Sequence, residues 1–424
     1  MCKARWAQLL LLAIAAGAAN YTRTALGPLQ EAVRVSLSLS DNQIALLQGF
    51  AVAAPLALVS LPIGLLADQL SRKRILLISL ACAVAASACG AFAPSFILLM
   101  SARFVGGLAL PGIYICAYAM ASDLVSPQLR GRATTIVGIG EVSGPPAAFA
   151  LGGTLLVAAR SVPWVKLPIR HGADWSSALL WMSVIEVPIF LLLLLWLREP
   201  ARRELSVVNQ RIGRVWRELW HYRALVVPLQ LARATLFIAD GAVYVWSAPL
   251  LERRFHLGPD RIGVLLGTAL LVGGLAGPML GGPLVDFCNR RGGPRRAMNI
   301  LALVGFLAAP LSSFALLPNA AGIAVVLCIF LTVCYAIGAG ALALTLIVIP
   351  GELRGLNIGI SLVVGALFFV GLAPLAVSGL SGALGGEGKV GEALAIVCGT
   401  ASALTAACLW VIGSCSRDAS FDPA

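Results

Sequence analysis

Charge is what this sequence has least of. Only 12% of its 424 residues are Asp, Glu, Lys or Arg, against roughly a quarter in an average soluble chain. A water-soluble fold of this composition could not cover its surface with polar groups, so lipid is the expected solvent for most of the chain. Histidine is nearly missing: His171, His221 and His256 are isolated from one another, and no nucleophile–base constellation stands out, which argues against a membrane enzyme. The ten cysteines form no Cys-x-x-Cys pair and no Cys/His cluster, so neither a disulfide framework nor a metal site is expected. There is no Gly-x-x-x-x-Gly-Lys-Ser/Thr loop with which to use ATP. No cofactor is expected.

Hydrophobic residues are abundant, at 59%. A bilayer core of ~30 Å needs ~20 apolar residues per helix, and twelve such runs use up nearly the whole chain. They read as Ala7–Gln30, Ile44–Leu66, Ile75–Phe92, Phe96–Met120, Ala133–Val157 and Ser177–Leu197, then Leu225–Leu251, Ile262–Val285, Met298–Leu317, Gly322–Ile349, Leu356–Val377 and Ala393–Gly413. The start of the chain imitates a signal peptide, with Lys3 and Arg5 before an apolar run and small residues up to Asn20. Cleavage near Ala19 would remove the first span, so retention is expected. The expected domains are an N-terminal six-helix bundle at 1–197, a basic cytoplasmic linker at 198–223, and a C-terminal six-helix bundle with a short tail at 224–424.

The net charge of +12 does not point to nucleic acid, because the positive residues sit in short blocks between apolar runs. Counted by side, 20 Lys and Arg fall with the two termini and 8 in the opposite loops; Arg23, Arg103 and Arg233 lie in spans. By the positive-inside rule both termini are expected in the cytoplasm. Arginine outnumbers lysine, as in GC-rich bacterial genomes, so a bacterial inner membrane is the expected location.

The two sets of runs repeat. Pro28 and Pro249 end the first and seventh spans in similar contexts, 221 positions apart; Gln43 and Arg261, like Asp68 and Asp286, are 218 apart; Leu129-Arg130-Gly131 and Leu353-Arg354-Gly355 are 224 apart. An even number of spans per repeat makes the halves parallel, related by an axis normal to the membrane.

Gly64-Leu65-Leu66-Ala67-Asp68-Gln69-Leu70-Ser71-Arg72-Lys73-Arg74 joins spans two and three. It resembles the loop signature of the major facilitator superfamily: a glycine, an aspartate four residues later, then a basic cluster. A degenerate copy runs from Gly282 through Asp286 to Arg290 and Arg291, and Pro127–Ala133 is similar to that superfamily's fourth-to-fifth loop. The resemblance implies an all-α membrane fold of twelve transmembrane helices in two parallel-related six-helix bundles with a central cavity. It also implies gating roles for Gly64, Asp68, Arg72, Arg74, Arg130, Asp286, Arg290 and Arg354, whose contacts would bias which side is open. Gly131, Gly140, Gly144 and Pro145 match a glycine spacing that resembles the drug–proton antiporter motif, although Ala148 and Phe149 stand at its closing glycine pair. Asn20-Tyr21-Thr22-Arg23 faintly resembles the start of spinster-like transporters, without their aspartate.

Polar residues inside spans are expensive and therefore functional candidates. Asn20, Arg23, Gly27, Gln30 and Arg34 recur at steps of three and four, making one helical face of span one. Gln230, Arg233, Phe237, Asp240, Tyr244 and Ser247 do the same in span seven. The expected substrate-binding residues are Asn20, Arg23, Gln30, Arg233 and Tyr244, the two arginines suiting carboxylate or phosphate. Expected coupling residues are Asp240, Glu141 and Arg103. Glu186 has no role in this scheme beyond an inter-helix hydrogen bond. The expected activity is secondary active transport of a small organic solute, proton-coupled, with export of an anionic or amphiphilic compound and import of a small carboxylate as competing directions. A channel or receptor is the competing class. The expected partners are the solute, a coupling proton and the bilayer, with the protein a monomer that binds no nucleic acid.

Overall fold

The structure is a computed structural model describing residues 2–126, 129–167, 173–201, 217–218, 220, 222–348, 353, 357, 360–361 and 363–415. All regular structure among these residues is helical. The membrane-length helices are α1 (Arg5–Ser36), α2 (Asp41–Gln69), α3 (Arg72–Ala91), α4 (Phe96–Leu124), α5 (Arg130–Ser161), α6 (Asp174–Trp196) and α7 (Arg223–Phe255), followed by α10 (Ala320–Thr345), α11 (Val363–Ala383) and α12 (Glu387–Ser414). Between α7 and α10 runs one helical stretch, Pro259–Leu316, of 58 residues. At 1.5 Å per residue it would be about 87 Å long, nearly three bilayer cores. It is two helices, because the backbone leaves helical values at Gly292 and at Gly293, where φ is +71°. We call them α8 (259–291), before the break, and α9 (294–316), after it, which makes twelve among the described residues. A positive φ suits glycine, and Pro294 then starts α9 where its missing N–H costs nothing.

Each helix extends past the apolar run that predicts it at one end or at both, as with Arg130–Ser161 around Ala133–Val157. The bilayer with its headgroups is ~40–45 Å thick, so a helix continues through the interface until a capping or breaking residue stops it. Ser71 does this for α3, accepting a hydrogen bond from the Arg74 amide at 3.3 Å. Ser40 and Gln43 form a capping box at the start of α2. Two helices are interrupted by π-turns, Leu46–Phe50 in α2 and Ala366–Leu372 in α11.

The chain divides into two compact units. Unit 1 comprises Met1–Ser206 with Leu251–Leu271, so the α7–α8 turn belongs by sequence to the second half and by packing to unit 1. Within it, α1 packs most extensively on α5. A methyl group on Gly140 would strike the Ala13 backbone, and one on Gly144 would strike the Gly17 carbonyl. The start of α8 packs on α5 in the same manner, Gly263 against the Phe149 carbonyl and Gly153 against Pro259. Unit 2 comprises Val207–Leu250 and Val272–Ala424. Its small-residue seam, Gly273, Gly277 and Gly281 of α8, lies against Leu331–Ala336 of α10, and Trp246 of α7 is buried with its indole N–H on the Pro374 carbonyl at 3.0 Å. Without a hydrophobic drive between helices in lipid, such close backbone approach is the main source of packing energy.

Candidate functional site

The α1–α5 glycine seam brings the helices close enough for side chains of one to reach the backbone of the other. Asn20 donates through Nδ2 to the Glu141 carbonyl at 2.9 Å, and Arg23 Nε donates back to Asn20 Oδ1 at 2.7 Å. The Glu141 carboxylate accepts from the Tyr118 hydroxyl of α4 at 2.6 Å. On the other flank Arg103 of α4 donates to the Arg23 carbonyl at 3.0 Å, and to the Leu47 carbonyl and Gln48 Oε1, both at 3.3 Å. The Leu47 carbonyl lies in the π-turn of α2. Gln48 Nε2 donates to Gln30 Oε1 at 2.9 Å. Asn20, Arg23, Gln30, Arg103 and Glu141 thus form one connected network inside unit 1. Gln48 and Tyr118 complete it.

In unit 2, Arg233 donates to Ser361 Oγ at 2.9 Å, and Ser361 in turn donates to Gln230 Oε1 at 3.0 Å. Gln230 Nε2 donates to Asn357 Oδ1 at 2.9 Å. Two turns along α7, Asp240 hydrogen-bonds Tyr335 of α10. The Tyr244 ring meets Phe369 edge-on, centroids 5.6 Å apart. Asn357 and Ser361 were missed by reasoning from the apolar runs, which gave no reason to single out polar residues of span eleven. Their spacing of four residues is the signal that was available.

The loop motif of unit 1 is short: only Leu70 and Ser71 separate α2 from α3. Asp68 stands at the end of α2, and Arg72, in the first turn of α3, pairs with it at 3.5 Å. Arg72 also pairs with the buried Asp123 at the end of α4, a residue outside the predicted run Phe96–Met120 and not singled out from the sequence. Glu199 accepts from Ser71 Oγ and, at 2.8 Å, from the Arg72 amide. Arg74 is exposed, and Arg130 begins α5. No described atom lies within 4 Å of a methyl group placed on Gly64, Gly131 or Gly282. The second copy differs. Asp286, Arg290 and Arg291 continue α8, because no helix breaker intervenes before Gly292, so Asp286 is not at a helix end. Asp286 and Arg290 are both exposed and make no ion pair among the described residues; Arg291 instead lies over the Phe287 ring at 4.2 Å. Arg354 lies outside the described residues.

The densest charge cluster was not among the expected site residues. Arg253, in the α7–α8 segment of unit 1, donates to Glu31 from Nε at 3.1 Å and Nη2 at 2.9 Å, and to Asp41 from Nη1 at 2.8 Å and Nη2 at 2.7 Å. Glu31 also pairs with Arg34 at 2.6 Å. The Arg253, Glu31 and Asp41 side chains are 16%, 9% and 11% exposed, so this is a largely desolvated fork pinning the α7–α8 turn to the α1–α2 turn.

Residues 12–374 match the family model described as Major Facilitator Superfamily. A protein of Mycolicibacterium smegmatis described as an MFS-type efflux pump is 26% identical over 417 residues, 96% of this chain and 92% of that one. The 3-(3-hydroxy-phenyl)propionate transporter of Escherichia coli is 29% identical over 234 residues, 53% of this chain and 51% of its own length. Two further curated relatives match over less than a quarter of their lengths. Among solved structures, a bacterial homologue of the human lysosomal transporter Spinster, inward-facing and unoccupied, superposes with a TM-score of 0.76 at 19% identity, over 97% of this chain and 96% of that one. That likeness is one of fold.

Proposed function

Because the chain belongs to the Major Facilitator Superfamily, and so is a multi-pass membrane transporter of small solutes, we propose that it is a proton-coupled carrier exporting an anionic or amphiphilic organic compound by alternating access. The observation that carries this reading is the unit 1 network, in which Arg23 and Arg103 stand with the carboxyl of Glu141 a few hydrogen bonds apart. Two guanidinium groups supply a site for a carboxylate or phosphate. A neighbouring carboxyl that gains a proton as the anion leaves would link the two flows. In unit 2, Arg233, held by Ser361, and Tyr244 are the substrate-binding residues, and Asp240 with Tyr335 offers a second coupling group.

In this scheme residues 1–197 and 224–424 are the functional halves, joined by the linker 198–223. Gly64, Asp68, Arg72, Arg74 and Arg130, with Asp286, Arg290 and Arg354, gate the cytoplasmic side, while Arg253, Glu31 and Asp41 latch the opposite one. Both termini are cytoplasmic, and the protein works as a monomer in a bacterial inner membrane. The full-length similarity to an efflux pump favours export. A second reading, uptake of a small carboxylate by symport, is favoured by the relative that carries a hydroxyphenylpropionate.

Proteoliposomes with an imposed pH gradient, given radiolabelled 3-phenylpropionate or a fluorescent lysolipid, test both. Saturable, gradient-driven accumulation that is lost with an uncoupler supports the proposal, and the gradient's sign separates antiport from symport. Single-channel currents without counterflow would refute it.

A further inference from the structure

Glu186 of α6 is buried, at 1% exposure, and takes no part in the networks described above. Its Oε2 contacts Thr22 Oγ1 of α1, while its Oε1 is buried without a hydrogen-bond partner. No cation pairs with it among the described residues. Tyr21 of α1 is the titratable side chain that interacts electrostatically with it, and the Tyr21 hydroxyl is likewise buried without a partner. From α3, Ser87 is bonded at 3.1 Å to Ser183, one turn before Glu186. Met182 of α6 faces Gly152 of α5, which brings no charge.

Proton counting decides what this arrangement requires. Thr22 Oγ1 has one hydrogen and two neighbours that accept, the Ala18 carbonyl at 2.9 Å and Glu186 Oε2. If Glu186 is ionised, Thr22 can serve only one of them, and a carboxylate is left buried with at most one hydrogen bond. If Glu186 carries a proton, its O–H donates to Thr22 Oγ1, Thr22 donates to Ala18, and both contacts are made at once. The geometry points to Glu186 as a proton-binding site whose occupancy sets which hydrogen bond Thr22 makes on α1. This deepens the proposed proton coupling and rests on that reading for its role in transport.

A route for the proton is present. Thr22 lines a cavity of about 30 Å³ inside unit 1, together with Arg23, Arg103 and Ser87. That is room for about two water molecules. On release, Thr22 first turns its O–H from the Ala18 carbonyl toward cavity water. The carboxyl O–H then breaks as its proton passes to Thr22 Oγ1 while the original Thr22 hydroxyl proton passes to that water, giving a carboxylate, a hydronium and a Thr22 hydroxyl left donating to Glu186. The change takes place at the wall of a cavity that Arg23 and Arg103 also line.

Infrared difference spectroscopy of the reconstituted protein reads the site directly. The carbonyl band of a protonated carboxyl, present in the wild type, should be lost in Glu186→Gln. It should shift in Thr22→Val, which removes its partner, and return to its original position in Thr22→Ser. In transport, Glu186→Gln should keep counterflow of 3-phenylpropionate and lose pH-driven accumulation. A band unchanged in Glu186→Gln overturns the proposal, as does full pH-driven accumulation by that variant. If the wild type itself shows no pH-driven accumulation, proton coupling falls. The band then decides the proton site alone, its loss in Glu186→Gln supporting the site and its persistence overturning it.

Discussion

Replacing Arg253 by alanine removes four hydrogen bonds between charged groups. Taken singly, such bonds contribute about 1.5–3 kcal/mol each, but their sum ignores the desolvation already spent on the guanidinium. Removing one partner of a buried ion pair typically costs about 3–5 kcal/mol, because the charge left behind is uncompensated. Here Glu31 would keep Arg34, and Arg253 is 16% exposed, so the low end, about 3 kcal/mol, applies. At 1.4 kcal/mol per decade, the pinned arrangement of the α7–α8 turn should lose roughly a hundredfold in population. Hydrogen–deuterium exchange followed by mass spectrometry measures this. Peptides covering the Leu37 and Leu39 amides, bonded to the Val33 and Arg34 carbonyls at 2.9 and 2.8 Å, should exchange roughly a hundredfold faster. So should peptides covering the α7–α8 turn, while α12 is unchanged. Arg253→Lys keeps the charge but not the fork and should fall between. Unchanged exchange at both turns in Arg253→Ala would show that the cluster carries no net stability, and the latch reasoning would fail.

Gly140→Leu should destabilise the purified protein by more than about 3 kcal/mol, the upper end for overpacking, since the clash is with backbone; Gly131→Ala, with open space around it, should stay within about 0.5 kcal/mol. Thermal unfolding in detergent compares the two. Arg72→Ala removes the arginine paired with the buried Asp123 carboxylate and should cost about 3 kcal/mol, whereas Arg74→Ala at its exposed site should be nearly neutral in the same assay. Asp240→Asn should abolish pH-driven accumulation in proteoliposomes while counterflow survives; unaltered accumulation removes Asp240 from coupling.

The twelve helices were legible because lipid imposes one length and one composition on every span, and Gly292-Gly293 stands out as a breaker between two apolar runs. The polar face of α1 was legible too, since Asn20, Arg23 and Gln30 recur with helical spacing. What the spacing does not carry is the partner. Nothing local says that Arg103 reaches the Arg23 carbonyl, or that it meets the Leu47 carbonyl in a π-turn. Glu31, Asp41 and Arg253 are separated by up to 222 positions and each reads as a loop charge. Only the fold, by bringing the α7–α8 turn onto unit 1, makes them a cluster. Asp123 was overlooked for a similar reason: a carboxylate at a helix end looks solvated until Arg72 is seen beside it. Glu186 was conspicuous from the start, but its meaning depends on a hydroxyl that the one-dimensional pattern cannot orient.

The two-glycine break between α8 and α9 has a mechanical side. From Arg291 to Pro294 there are three steps of 3.8 Å between Cα atoms, so the facing ends of these helices are leashed to within about 11 Å whatever state the protein visits. Any displacement of the Arg291 end of α8 beyond that length must carry the Pro294 end of α9 with it. Lengthening that leash with inserted residues would let one end move without the other.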